Sequence, residues 1–225
     1  AFNGVFTTEA FAPPAEAAHA YSSYLGPPRV GGTPSDDPAF PWEALDAERP
    51  LIYVASGGGQ SLSFDGSCVL RLAHAGARHG QVVIAAQTRA DDEVLRAALP
   101  PGCVMVRSAP QRALLDRAAV AVLHGGANSV NECLDRGVPM LILPLGKDQP
   151  VQAALVRRAG VGLVLDPETS TEDECAAALA TLIGGGEYRA RAAALRASYQ
   201  ATDSSATLAA ALIGLAQRTA VHSPP

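Results

Sequence analysis

From Pro50 onward, short runs of β-branched residues alternate with alanine- and leucine-rich stretches, the patterning of βαβ units laid on a parallel sheet. Strands are predicted at 51–55, 81–86, 103–107, 120–123, 140–143 and 162–165, and helices at 65–79, 91–99, 112–118, 129–136, 150–159 and 171–183. Strands and helices in this order suffice for one α/β domain with a Rossmann-like, doubly wound parallel sheet. Residues 187–219 continue as helix, with a break expected at 202–205, where small polar residues cluster. The first 45 residues read differently. Pro13-Pro14, Pro27-Pro28, Gly31-Gly32 and Pro34 interrupt any periodicity, so 1–45 is expected to be an arm or interdomain linker and 46–220 the folded domain. Phe2, Phe6, Phe11, Tyr21, Tyr24, Phe40 and Trp42 are too many aromatics for a solvated tether; parts of the arm are expected to pack, with a neighbouring domain as one candidate.

Composition narrows this picture. A chain of 225 residues, 48% hydrophobic, can bury one full core with an appendage but hardly two complete α/β domains. A net charge of -5 with no basic block argues against an electrostatic grip on nucleic acid or an anionic membrane. Any bound phosphate must then be held by backbone and dipoles rather than by a lysine cluster. Cys68, Cys103, Cys133 and Cys175 lie far apart with no C-x-x-C pair, as reduced core thiols of a cytoplasmic protein would. The apolar run 140–145 is far shorter than the ~20 residues a membrane helix needs. Ala1 is not an initiator methionine, and the chain is expected to begin within a longer protein.

Two glycine-rich turns carry candidate chemistry. Ser56-Gly57-Gly58-Gly59 follows the first predicted domain strand, and consecutive glycines let backbone N–H groups approach an anion. The loop lacks the spacing of a dinucleotide fingerprint or a Walker loop, and a tight turn without ligand explains it equally well. More specific is His124-Gly125-Gly126-Ala-Asn128-Ser129-Val-Asn-Glu132. Here a strand ends in a histidine and two glycines, and the positive end of the next helix points into the opening, a position that suits a diphosphate. Asn128, Ser129 and Glu132 share one helical face, where a hydroxyl near phosphate and an ionised carboxylate one turn deeper suit a nucleotide's phosphate and ribose diol. Capping competes with that reading: Asn128 or Ser129 as N-cap, with Glu132 completing a capping box. The next strand delivers Asp148-Gln149 to the same edge, an acceptor and an amide suited to sugar hydroxyls, or a cap ahead of Pro150. Ala109-Pro110-Gln111, after the third strand, offers backbone groups to a nucleobase edge.

In order, Pro110-Gln111, the His124 to Glu132 segment, Gly137-Val138-Pro139, Pro144 and Asp148-Gln149 resemble the donor-binding half of GT-B glycosyltransferases, most closely the UDP-glycosyltransferase superfamily with its bacterial natural-product members. The resemblance spans residues 30–219. It implies that Ala109 to Gln111 hold the base, Glu132 the ribose hydroxyls, His124, Gly126 and Ser129 the diphosphate, and Asp148 and Gln149 the transferred sugar. Ser56, Gly57, Gly58, Gly125 and Asn128 complete the expected donor-binding set. Two departures matter. Gly58 stands where relatives carry Ser or Thr, so a side-chain phosphate contact is not expected there, and the aromatic that plant relatives place before Pro110-Gln111 is missing, which leaves the base, uracil or thymine, open.

The resemblance implies inverting transfer of a sugar from a UDP- or dTDP-sugar co-substrate to a small-molecule acceptor, with no cofactor. No D-x-D pair lies on the sheet-edge loops, so no essential metal is expected. His124 would stabilise the leaving diphosphate, and no general base is evident. That base is expected from an amino-terminal GT-B domain, in the same or a partner chain. Two other roles stay open: a donor-binding subunit that needs such a partner, and a non-catalytic nucleotide-binding or interaction module.

Overall fold

A computed structural model describes residues 3–12, 22–27, 40–56, 62–86 and 92–221. Its centre is a six-stranded, all-parallel sheet ordered β5-β4-β3-β6-β7-β8. The strands are β3 (Leu51–Ala55), β4 (Gln81–Ala85), β5 (Cys103–Val106), β6 (Ala118–Leu123), β7 (Met140–Ile142) and β8 (Gly162–Val164). The helices are α1 (Gly66–Ala77), α2 (Asp92–Ala97), α3 (Gln111–Leu115), α4 (Ala127–Arg136), α5 (Gln149–Ala159), α6 (Glu172–Gly184), α7 (Gly186–Gln200) and α8 (Ser204–Val221). This is the predicted doubly wound architecture. Among the described residues, no helix is long and apolar enough to cross a membrane.

Strand residues alternate between two separate cores, which is why these strands read as unbroken apolar runs. Leu51, Tyr53, Ala55, Ala121, Leu123 and Ile142 face a core closed by α3, α4, α5 and α7. Ile52, Val54, Val82, Val120, Val122 and Leu141 face one closed by α1, α2 and α6. Local chemistry sets the helix limits. Asp65 caps α1 by accepting from the Cys68 N–H at 2.7 Å. Thr171 and Glu174 form a reciprocal capping box at the start of α6. Gly137, at φ 67°, ends α4 in the left-handed conformation, and the Val138 N–H folds back onto the Cys133 carbonyl at 2.9 Å.

Several boundaries differ from the sequence expectation. β6 begins at Ala118 rather than 120, because Ala118 pairs with Leu51, and α3 accordingly stops at Leu115 rather than 118. The final helical stretch breaks at 201–203. The amino-terminal arm, for which no element was expected, contains β1 (Asn3–Val5) and β2 (Ser22–Tyr24), paired in parallel. Strands of three residues are too short for alternation to show, and tertiary contacts hold them. Asn131 on α4 donates from Nδ2 to the Phe6 carbonyl at 2.8 Å and accepts from the Tyr199 hydroxyl at 2.8 Å. That hydroxyl also bonds Thr7 Oγ1 at 2.8 Å. Arg158 donates to the Phe11 carbonyl at 3.1 Å, and Phe11 and Leu25 are buried. The aromatics Phe11 and Phe40 therefore pack on this domain's own core, on the α4, α5 and α7 side.

Candidate functional site

The strand order reverses between β3 and β6: the chain walks outward from β3 to β5, then returns to build β6, β7 and β8 on the other side. Connections leaving β3 and β6 diverge to opposite faces, and open α/β sheets bind ligands in the crevice this creates at the strands' carboxyl ends. A cleft of about 570 Å³ lies there. Tyr53 and Ala55 of β3 form part of its wall, with the loop from Arg107 to Gln111, the turn from His124 to Ser129, and the loop from Lys147 to Gln149.

At the His124 turn the two glycines have separable roles. Gly125 has φ 89°, and a Cβ there would stand 2.9 Å from Ile142 Cγ2, so both conformation and space require glycine. Gly126 has ordinary extended backbone, φ -63° and ψ 135°, yet a Cβ on it would meet His124 Nε2 at 2.7 Å. The second glycine is therefore what lets the imidazole lie against the first turn of α4. Gly126 is the N-cap of α4 and supplies no side-chain cap. Capping by Asn128 or Ser129 is thereby overturned. Both sit inside the first turn, and a helix that starts without a cap leaves its first N–H groups for water or a ligand. Burial is the main influence on His124 and lowers its pKa below the ordinary value, against smaller opposing effects from the Ala55 backbone and the Asp148 carboxylate. The ring is neutral at pH 7, and its buried Nδ1 has no hydrogen-bond partner.

Gln111 joins three elements. Its Oε1 accepts from the Tyr53 hydroxyl at 3.0 Å, and its Nε2 donates to Glu132 Oε2 at 2.6 Å and to Ser129 Oγ at 3.3 Å. Glu132 is half-buried behind this amide: Gln111, Ser129 and Tyr53 line the cleft, and the carboxylate takes its hydrogen bond from α3 rather than from its own helix N-terminus. Sequence reasoning placed Gln111 only as a backbone contact and missed Tyr53 altogether. Tyr53 belongs to a buried strand whose other residues, Leu51, Ile52, Val54 and Ala55, are all apolar, and no local pattern marks its hydroxyl. Ala109 lines the cleft, and its carbonyl accepts the Gln111 N–H at 2.7 Å.

Across the cleft, Gln149 is buried and its Oε1 accepts the N–H groups of Leu145 at 2.6 Å and Gly146 at 3.1 Å. The amide oxygen thus latches its own loop. Asp148 stands at the N-cap position of α5 but makes no side-chain cap bond; it is exposed at the rim and lines the cleft. Lys147 beside it adopts φ 57°, a left-handed conformation found among the described residues at no other non-glycine position. Ser56, directly after β3, is fully buried, its hydroxyl without a partner. Gly57, Gly58 and Gly59 lie outside the described residues. The structure thus brings Ala109, Gln111, His124, Gly126, Asn128, Ser129, Asp148 and Gln149 to one cleft, with Gly125 and Glu132 directly behind its wall.

Residues 69–215 match the family described as erythromycin biosynthesis protein CIII-like, C-terminal domain. The chain is 32% identical over 190 residues to the vancomycin aglycone glucosyltransferase of Amycolatopsis orientalis, covering 82% of this chain and 44% of that protein. It is 29% identical over 178 residues to a PGL/p-HBAD biosynthesis glycosyltransferase of Mycobacterium tuberculosis, covering 78% of this chain and 39% of that one. It therefore spans about two fifths of the length of these relatives. Among solved structures, the kitacinnamycin glycosyltransferase superposes with a TM-score of 0.76 at 25% identity, over 94% of this chain and 54% of that one. The calicheamicin glycosyltransferase CalG4 gives 0.75 at 24% identity, over 99% and 53%, a likeness of fold.

Proposed function

The chain belongs to the erythromycin biosynthesis protein CIII-like C-terminal domain family, and from that premise we propose that its cleft binds a nucleoside-diphosphate sugar, UDP- or dTDP-linked, as the donor half of a glycosyltransferase. One observation carries the reading: α4 begins without a side-chain cap directly behind His124-Gly125-Gly126, inside a cleft at the reversal point of the sheet. A helix N-terminus in that position attracts a diphosphate through its first N–H groups and its dipole. Ser129 and the His124 ring stand at the same opening. The Gln111–Glu132 pair suits the ribose end, and Asp148 with the Gln149 amide nitrogen suits sugar hydroxyls.

In this reading the sugar passes to a small-molecule acceptor with inversion at the sugar's own anomeric carbon. The acceptor hydroxyl bonds to the anomeric carbon as the bond from that carbon to the diphosphate oxygen breaks. The hydroxyl proton passes to a base on an amino-terminal GT-B domain, in the same or a partner chain, and the diphosphate departs with the bonding electrons. The α4 N-terminus, Ser129 and His124 stabilise the charge that develops on it without a metal ion. Titration calorimetry of the chain with UDP-glucose and dTDP-glucose tests this. Saturable binding of one of them, unchanged by a chelator, is expected; no binding of either sinks the donor-site reading, and binding abolished by the chelator sinks its metal independence.

A further inference from the structure

We infer that Tyr53 is a positioning residue for the nucleoside end of the donor, acting through the side-chain amide of Gln111 to hold Glu132; the inference rests on the donor-binding reading above. Tyr53 is 1% exposed, on the central strand β3, and its hydroxyl emerges from an apolar core at the cleft wall. A buried hydroxyl there needs a partner, and it has one in Gln111 Oε1 at 3.0 Å.

The direction of the chain of bonds follows from the chemistry at its two ends. An ionised carboxylate only accepts, so the amide must turn Nε2 toward Glu132, 2.6 Å away. Its oxygen then faces Tyr53, whose hydroxyl must donate. Burial, with Cys133 and Glu132 beside it, raises the pKa of that hydroxyl and keeps it protonated at any working pH. Tyr53 and Glu132 thus fix the Gln111 amide from opposite sides, one from the sheet and one from α4. Ser129 Oγ, at 3.3 Å from the same Nε2, ties in the helix turn assigned to the diphosphate. Without the hydroxyl, Oε1 has no donor, Gln111 is released toward solvent, and the Glu132 carboxylate loses its fixed rotamer. The ligand end chiefly affected is the ribose, because the α4 N–H groups and His124 make no bond in this chain and the diphosphate turn joins it only through the longer 3.3 Å contact at Ser129.

The test compares the wild-type chain with Tyr53→Phe, Gln111→Leu and the double variant, titrating each with UDP, dTDP and inorganic pyrophosphate, and checking folding by thermal melting. Tyr53→Phe is expected to weaken nucleotide binding about fivefold to tenfold, the size of one net hydrogen bond. Pyrophosphate binding is expected to stay within twofold. Gln111→Leu removes the relay without touching the buried strand, and adding Tyr53→Phe to it is expected to produce no further loss. Wild-type binding with a Tyr53→Phe affinity within twofold of it overturns this inference alone. So does an equal loss for pyrophosphate, or full additivity in the double variant. Failure of the wild-type chain to bind either nucleotide overturns the donor-site reading and this inference with it.

Discussion

Replacing Gly126 with alanine isolates the diphosphate end of the cleft from the fold. The backbone there, φ -63° and ψ 135°, is open to any residue, so the substitution adds a methyl group without backbone strain. That methyl carbon would stand 2.7 Å from His124 Nε2 and 3.3 Å from Cε1. An ordinary contact needs roughly 3.5 Å, so the ring edge must retreat by roughly 0.8 Å. A hydrogen bond from the ring to a phosphate oxygen, lengthened by that amount, is no longer a bond. Bonds to charged groups contribute about 1.5–3 kcal/mol, which corresponds to a loss of roughly 10- to 150-fold in affinity. Calorimetric titration of Gly126→Ala with UDP and dTDP reads the loss directly. Thermal melting should fall by only a few degrees, about 2–4 °C per kcal/mol for a chain of this size. His124→Ala should give a loss of similar size, and the double variant little more than either. A Gly126→Ala chain that binds nucleotide within twofold of wild type would refute the idea that the second glycine exists to seat the imidazole.

Three further predictions use other parts of the structure. Thr171→Ala removes the Oγ1 that accepts the Glu174 N–H in the α6 capping box, leaving the reciprocal bond from the Thr171 N–H to Glu174, and should cost about 1 kcal/mol, read as a lower urea midpoint with an unchanged slope; an unchanged midpoint contradicts the cap. Tyr199→Phe strips the hydroxyl shared by Asn131 and Thr7 and should cost about 1–3 kcal/mol, with faster proteolysis of the amino-terminal arm; an arm no more cleavable than wild type counts against that anchor. Because burial lowers the His124 pKa, the unfolded chain binds the proton more readily, so the ring's contribution to stability is present above about pH 6.5 and is lost as pH falls through the lower folded value. A bound diphosphate favours the protonated ring, so nucleotide binding at pH 7.5 should take up protons, measured by calorimetry in buffers of different ionisation enthalpy. Equal uptake by His124→Asn would refute that coupling.

The sheet was legible because parallel strands buried on both faces carry their signal in every residue, and the αβ alternation of β3 to β8 leaves one simple winding. Boundaries failed where tertiary pairing overrode local preference: alanines at 118 and 119 favour helix, yet Ala118 is drawn into β6 by its pairing with Leu51. The start of α4 was misread for a related reason. Asn128, Ser129 and Glu132 compose the sequence signature of a cap, but the helix starts earlier, at Ala127 with Gly126 as its N-cap, and carries them inside its first turns. The loops that converge at the cleft were visible as turn chemistry at strand ends. What no spacing could give was side-chain partnership across elements. The bond from Gln111 to Glu132 spans α3 and α4, the one from Tyr53 reaches in from β3, and the Gln149 latch depends on how its loop closes.

The most direct test of the account maps a nucleotide onto the chain by amide NMR, titrating uniformly 15N-labelled protein with UDP and dTDP. The account predicts saturable shifts that are largest for the N–H groups of Ala127, Asn128 and Ser129 at the start of α4, and smaller ones near Ala109 and Gln111. Saturation without shifts at the start of α4, or shifts centred away from the carboxyl ends of β3 and β6, would contradict it.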